Sequence, residues 1–229
     1  MSPPVRPPRP SMPTSTGVLR MVVGIVVIGV LVYTYVLGIP AGRADPFDYF
    51  GYFTNLTSLL AAGVLIAVGA RTLRDGRPPA WLHLARGAAV TAMIVVALIY
   101  NLVVPGTGTA PGWVSVTLHL AFPLLLLVDW LVIADRPPLE WRRIWLVLPY
   151  PLLWLGVTLV RGVTDGWVPY GFLLPSRGVA QLAASVGMLM ATLLVCASLV
   201  WAMSRIRVFE VAPQTPPSIG SRLGVRPTR

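Results

Sequence analysis

At positions 52–65 the chain reads YFTNLTSLLAAGVL, a run apolar enough to lie in lipid that nonetheless opens with Thr54, Asn55, Thr57 and Ser58 close together. Hydroxyl groups in such a segment serve one of two ends: they let helices pack tightly, or they react with a substrate. Thr54, Ser58 and Ala62 recur every four residues, the small-xxx-small spacing at which two membrane helices approach closely. A threonine can also satisfy itself on the carbonyl of the preceding turn. The choice between packing and chemistry rests on the remainder of the chain.

That remainder places the run in a membrane. Across 229 residues the mean hydropathy is +0.74, with 55% hydrophobic residues and 11% charged ones, against ~25% charged residues in a soluble domain. All 18 basic residues are arginine and the formal net charge is +10. They fall between the apolar runs, where anionic lipid headgroups account for them without a nucleic-acid partner. Cys196 is the only cysteine, so no intrachain disulfide forms.

Six segments are long enough to cross a ~30 Å hydrocarbon core as helices: 18–38, 47–69, 85–104, 113–134, 142–161 and 179–204. The expected fold is therefore all-α, a six-transmembrane-helix bundle over 18–204, flanked by a Pro/Arg-rich disordered arm (1–17) and a basic disordered tail (205–229). The first apolar stretch exceeds the length of a signal-peptide core and reads as a retained helix. With both termini cytoplasmic, only Arg43, Arg161 and Arg177 of the 18 arginines face outward, which orients the bundle in what is expected to be a bacterial plasma membrane. No internal repeat supports an inverted-repeat transporter.

An ionisable group inside a span points to function by default, and His119 in SVTLHLAFPLLLL is such a group. Its alternative is a histidine bonded to a neighbouring helix for packing. Four residues on, Pro123 has no N–H for the carbonyl of residue 119, so the helix is expected to kink or open beside the imidazole. Trp113 and Trp130 read as anchors at the two interfaces. Counted from their span starts, Thr54 and His119 each lie roughly 10 Å below the outer boundary, level enough for a nucleophile and a base to meet if their helices touch. Asn55 and Asn101 are placed to orient the imidazole or donate to an oxyanion, and equally to cap helix ends.

Arg161 has two readings, an arginine reaching for headgroups and paired with Asp165, or a clamp for a substrate carboxylate. Trp167, Tyr170 and Phe172 form an aromatic loop beside it, an interface anchor or a lid. Asp129 lies too far along the fourth span to orient His119 and is expected to pair with an arginine such as Arg142 or Arg143; His83 reads as interfacial. No metal-ligand spacing, phosphate loop or serine elbow is present, and no cofactor is expected.

Through YFTNLTSLL, HLAFP and RGVTDGWVPYGFLL, over roughly residues 18–204, the chain resembles the androgen-induced membrane protein family, more closely its bacterial "Pr-six-Pr" branch. The resemblance implies an intramembrane threonine hydrolase of fatty acid esters, with Thr54 as nucleophile and His119 as its partner. Bacterial relatives carry an asparagine where this chain has Ser58, and a loop with a second aromatic, a later proline and an acid that GWVPYGFLLP lacks. The expected partners are membrane lipids and a lipid-like ester, held by Arg161, Trp167 and Tyr170. Two rivals stand beside this reading: a non-catalytic lipid- or partner-binding bundle, and a small proton-coupled transporter using His119 and Asp129.

Overall fold

Apolar sequence of this length in lipid must satisfy its own backbone hydrogen bonds, and helices do so within each segment. The computed structural model describes residues 14–75, 78–133 and 135–206. It is all-helical, 81% helix with no strand among the described residues, and six of its helical stretches are long and apolar enough to cross a membrane. This is the architecture of a multi-pass membrane protein. The expected disordered arm and tail lie almost entirely outside the described residues.

The spans are α1 (Thr14–Gly38), α3 (Phe53–Asp75), α4 (Ala80–Leu102), the pair α5 (Gly112–Val116) and α6 (Phe122–Val132), α7 (Pro149–Thr164) and α8 (Val179–Met203), with a short α2 (Pro46–Gly51) ahead of α3. A 3₁₀ stretch, Trp141–Val147, leads into α7. α5 and α6 form one rod joined by a π-helical turn, Thr117–Ala121, in which the Phe122 N–H reaches back to the Thr117 carbonyl. The widened turn stands next to Pro123, the opening that a missing donor there predicts.

Three span starts depart from the sequence expectation, the first being α1, which begins at Thr14 inside the expected disordered arm. α4 begins at Ala80, directly after Pro79, so His83 lies inside the helix and is buried rather than interfacial. The second span begins at Phe53 instead of 47, because the chain breaks at Tyr52, whose backbone is extended. Asp45 caps α2 through the Phe47 N–H at 2.7 Å, Pro46 starts it, and the Gly51 carbonyl at its end accepts from Trp154 Nε1 at 2.8 Å.

α1 and α3 make the most intimate helix pair, and glycine allows it. A Cβ on Gly69 would sit 2.6 Å from the Gly17 carbonyl oxygen, and one on Gly24 would sit 2.8 Å from the Ala62 carbonyl oxygen. Backbone therefore meets backbone, as in small-residue packing elsewhere in membranes. The hydroxyl stripe divides accordingly. Ser58 and Ala62 are wholly buried in packing, Ser58 donating to the Met93 sulfur at 3.9 Å, and Thr57 bonds the Tyr150 hydroxyl at 2.7 Å.

At the end of the bundle away from Thr54, five charges come together under helix cover. Arg20 of α1 reaches Asp129 at 2.9 Å and Asp135 at 2.6 Å; Arg86 of α4 reaches Asp135 at 2.7 Å and also Asp129. Asp129 therefore pairs with Arg20 and Arg86, whereas Arg142 and Arg143 pair with Glu140 outside the cluster. The reason is topological: α1, α4 and α6 converge here, and residues far apart in sequence balance two buried guanidiniums with a buried carboxylate, Asp135, and a half-buried one, Asp129. Burial pushes the Asp135 carboxyl up, but Arg86 and Arg20 outweigh it and bring it down to about 2. The fifth charge, Arg136, lies 4.0 Å over the Trp130 ring and donates to the Ile133 and Met203 carbonyls, the exposed negative ends of α6 and α8. Trp130 is thus fully buried, a floor for two guanidiniums and not an interface anchor.

Candidate functional site

The opposite end of the bundle holds two adjoining cavities. One, of about 370 Å³, is lined by polar groups that include Thr54, Asn55, Ser115, His119, Arg43 and Asp48. The other, about 60 Å³, is a narrow apolar slot among α3, α4, α7 and α8, with Val96, Ile99, Trp154, Leu189 and Leu193 in its walls. Thr54, Tyr100, Val104 and Tyr170 line both. Thr54 therefore stands where a polar chamber gives way to an apolar one.

The chain break at Tyr52 makes Thr54 the second residue of α3, while His119 is the eighth of its own span, so counting residues from the span starts does not set their relative depth. The two nevertheless line one cavity. No hydrogen bond joins them among the described residues. Thr54 is 8% exposed and lines both chambers together with Tyr170.

His119 is held from three sides. Its Nδ1 lies 2.9 Å from the Ser115 carbonyl and 3.3 Å from the Ser115 hydroxyl, and its ring stacks on Tyr100 with centroids 3.4 Å apart. A carbonyl only accepts, so Nδ1 carries the proton and Nε2 presents a lone pair. Ser115 in turn donates to the Tyr100 hydroxyl at 2.7 Å. Ser115 stands one turn ahead of His119, a spacing from which a partner for the ring was readable; nothing in the sequence marks Tyr100.

Neither asparagine bonds the imidazole. Asn101 donates to the His119 backbone carbonyl at 3.1 Å and to Ala97 at 2.8 Å, which supplies the donor that Pro123 withholds from that carbonyl. Asn55 donates to the Tyr49 carbonyl at 2.8 Å and so ties α2 to α3.

Arg161 is held by acids of the chain itself: its Nε meets Asp165 at 2.9 Å, its Nη2 meets Asp48 at 2.8 Å, and its guanidinium covers Trp167 at 4.2 Å. The pairing with Asp165 is the one the sequence spacing offered. A guanidinium with two carboxylates already in place is a poor clamp for a third, so this geometry disfavours the substrate-carboxylate reading. Arg161→Gln is expected to loosen the 165–178 loop, read as faster cleavage of that loop by a protease added in detergent micelles. Arg43 lines the larger cavity and donates to the Thr109 hydroxyl at 2.9 Å; among the described residues it makes no ion pair. Trp167 packs over Gly51, where a Cβ would lie 2.3 Å from its ring, and so closes the loop onto the start of α3.

Among the described residues no group of histidine, cysteine and acidic side chains has the makings of a metal site. Comparison of the chain with known protein families, with curated proteins and with solved structures gave no match in any of the three. The functional reading rests on the site itself.

Proposed function

We propose that this chain is an integral-membrane hydrolase of lipid esters, with Thr54 as nucleophile and His119 as base. One observation carries the reading: a hydroxyl and an imidazole from different spans line one cavity, and the hydroxyl also borders an apolar slot. An amphiphile with its ester at Thr54 would place a hydrocarbon chain in the slot and its polar part in the larger chamber. The family resemblance in YFTNLTSLL and HLAFP points the same way. The arginine distribution would put this end of the bundle in the outer leaflet and both termini in the cytoplasm of a bacterial cell.

The chemistry follows from the tautomer. With Nδ1–H directed at Ser115, Nε2 takes the Thr54 proton as Oγ bonds the acyl carbon. Collapse of the tetrahedral adduct breaks the bond to the alcohol oxygen, which leaves with the proton from His119. Water, activated in turn by His119, then cleaves the acyl-threonine and returns both groups to their first state.

Purified protein assayed with a long-chain p-nitrophenyl ester tests this. Thr54→Ala and His119→Ala are expected to lower kcat by about 10²–10⁴, Thr54→Ser to keep part of the turnover, and a fluorophosphonate to label the wild type but neither alanine variant. Wild-type rates in both alanine variants would refute it. The absence of a Thr54–His119 hydrogen bond favours a second reading, a bundle that binds an amphiphile without cleaving it; there, Thr54→Ser behaves as Thr54→Ala and no ester turns over.

A further inference from the structure

Acyl transfer at Thr54 needs a donor for the charge that develops on the carbonyl oxygen; Asn101 gives both its N–H groups to backbone carbonyls, and Asn55 is tied to the Tyr49 carbonyl. We infer that the Tyr170 hydroxyl is that donor, an assignment that rests on the hydrolase reading of the same cavity. Tyr170 and Thr54 are two of the four residues that line both chambers, so an ester seated at Thr54 lies against the phenol.

The ring is held in place on three sides. It stacks on Phe172 with centroids 5.5 Å apart and 10° between planes, and meets Tyr52 edge-on at 6.0 Å and Trp154 at 6.0 Å. Tyr52, which the ring meets edge-on, immediately precedes α3, so the phenol stands beside the backbone N–H groups of Phe53 and Thr54 that open that helix. These are N–H groups without partners inside their own helix, at the positive end of its dipole. A phenol oxygen that accepts from them keeps its own proton to give, and gives it more strongly. Burial meanwhile pushes the Tyr170 phenol up, so the hydroxyl stays protonated at neutral pH. A fixed, protonated donor beside the nucleophile is the arrangement that electrostatic stabilisation of an oxyanion requires.

In the step itself, Thr54 Oγ bonds the acyl carbon, its proton passes to His119 Nε2, and the carbonyl π electrons move onto oxygen, which accepts the Tyr170 O–H hydrogen bond. The phenol keeps its proton throughout. When the adduct collapses, those electrons return, the ester C–O bond breaks, and the alcohol takes the proton held by His119.

Tyr170→Phe removes the hydroxyl and preserves the stacked ring, so it tests the donor without disturbing the loop. With a p-nitrophenyl acyl ester, kcat is expected to fall about 100-fold at an unchanged KM, and the rate of fluorophosphonate labelling to fall alongside, because the phosphonyl oxygen occupies the same position. Turnover at the wild-type kcat in Tyr170→Phe, with Thr54→Ala inactive, would overturn the tyrosine assignment and leave the hydrolase reading standing. A KM rise at constant kcat would also overturn it, since that signature belongs to a residue that only shapes the binding chamber. Turnover indifferent to both Thr54→Ala and Tyr170→Phe would remove the assignment together with the reading beneath it.

Discussion

Asp135→Ala is expected to destabilise the folded protein by about 3–5 kcal/mol, read from the midpoint of unfolding by SDS in mixed micelles. Asp135 is buried between Arg20 and Arg86 at 2.6 and 2.7 Å, and neither guanidinium has water to turn to when that carboxylate is removed. Asp129 would remain with two positive charges to balance alone. The same pairing gives stability a pH dependence. The Asp135 pKa is depressed from 3.8 to about 2 in the folded protein, so its contribution is complete above the unfolded value and is lost as pH falls from about 4 through about 2. Asp135→Asn preserves the shape of the side chain and should flatten the curve across that window. An unfolding midpoint that does not move in Asp135→Ala would mean that the cluster is hydrated and does not hold α1, α4 and α6 together.

Gly69→Val carries the other large effect, an expected loss of about 3 kcal/mol with the α1–α3 pair forced apart. The added Cβ would stand 2.6 Å from the Gly17 carbonyl oxygen, and a backbone atom cannot turn aside as a flexible side chain can. Gly63→Ala is the control one helix face away. A Cβ there meets nothing within 4 Å, so the substitution should be neutral or gain up to about 1 kcal/mol of helix propensity. Size-exclusion profiles and unfolding midpoints in one detergent compare the two directly. Equal behaviour of the pair would show that α1 and α3 do not meet backbone to backbone.

Six spans were legible in the sequence because hydropathy summed over twenty residues is insensitive to the fate of any one of them. Their ends were less so. Phe47 and Tyr49 are apolar or aromatic enough to extend the second span, and the break at Tyr52 depends on Trp154 taking the Gly51 carbonyl and Trp167 covering Gly51 from more than a hundred residues away. His83 was misplaced for a related reason: a helix that begins right after Pro79 carries it into the interior.

In the site, Thr54, His119 and the opening beside Pro123 stood out because a polar group or a proline in an apolar run is conspicuous by contrast. Partnership was a different matter. Asn101 had two readings, orienting the imidazole or capping a helix end, and it bonds the carbonyl that Pro123 leaves open; Arg161 had two, a clamp or a partner of Asp165, and it is held by Asp165 and also by Asp48. Asp48 lies 113 positions from Arg161, and no local spacing connects them.

The sequence by itself determined that this chain is a multi-span membrane protein with a histidine, a proline and a cluster of hydroxyls inside its apolar runs, because the cost of exposing polar groups to lipid is settled residue by residue. Only the tertiary structure decided that Ser58 packs while Thr54 faces a cavity, that His119 lines the same cavity, and that Arg20 and Arg86 share two aspartates at the far end. Those outcomes depend on which helices touch and at what rotation, and that is a property of all the spans packed together.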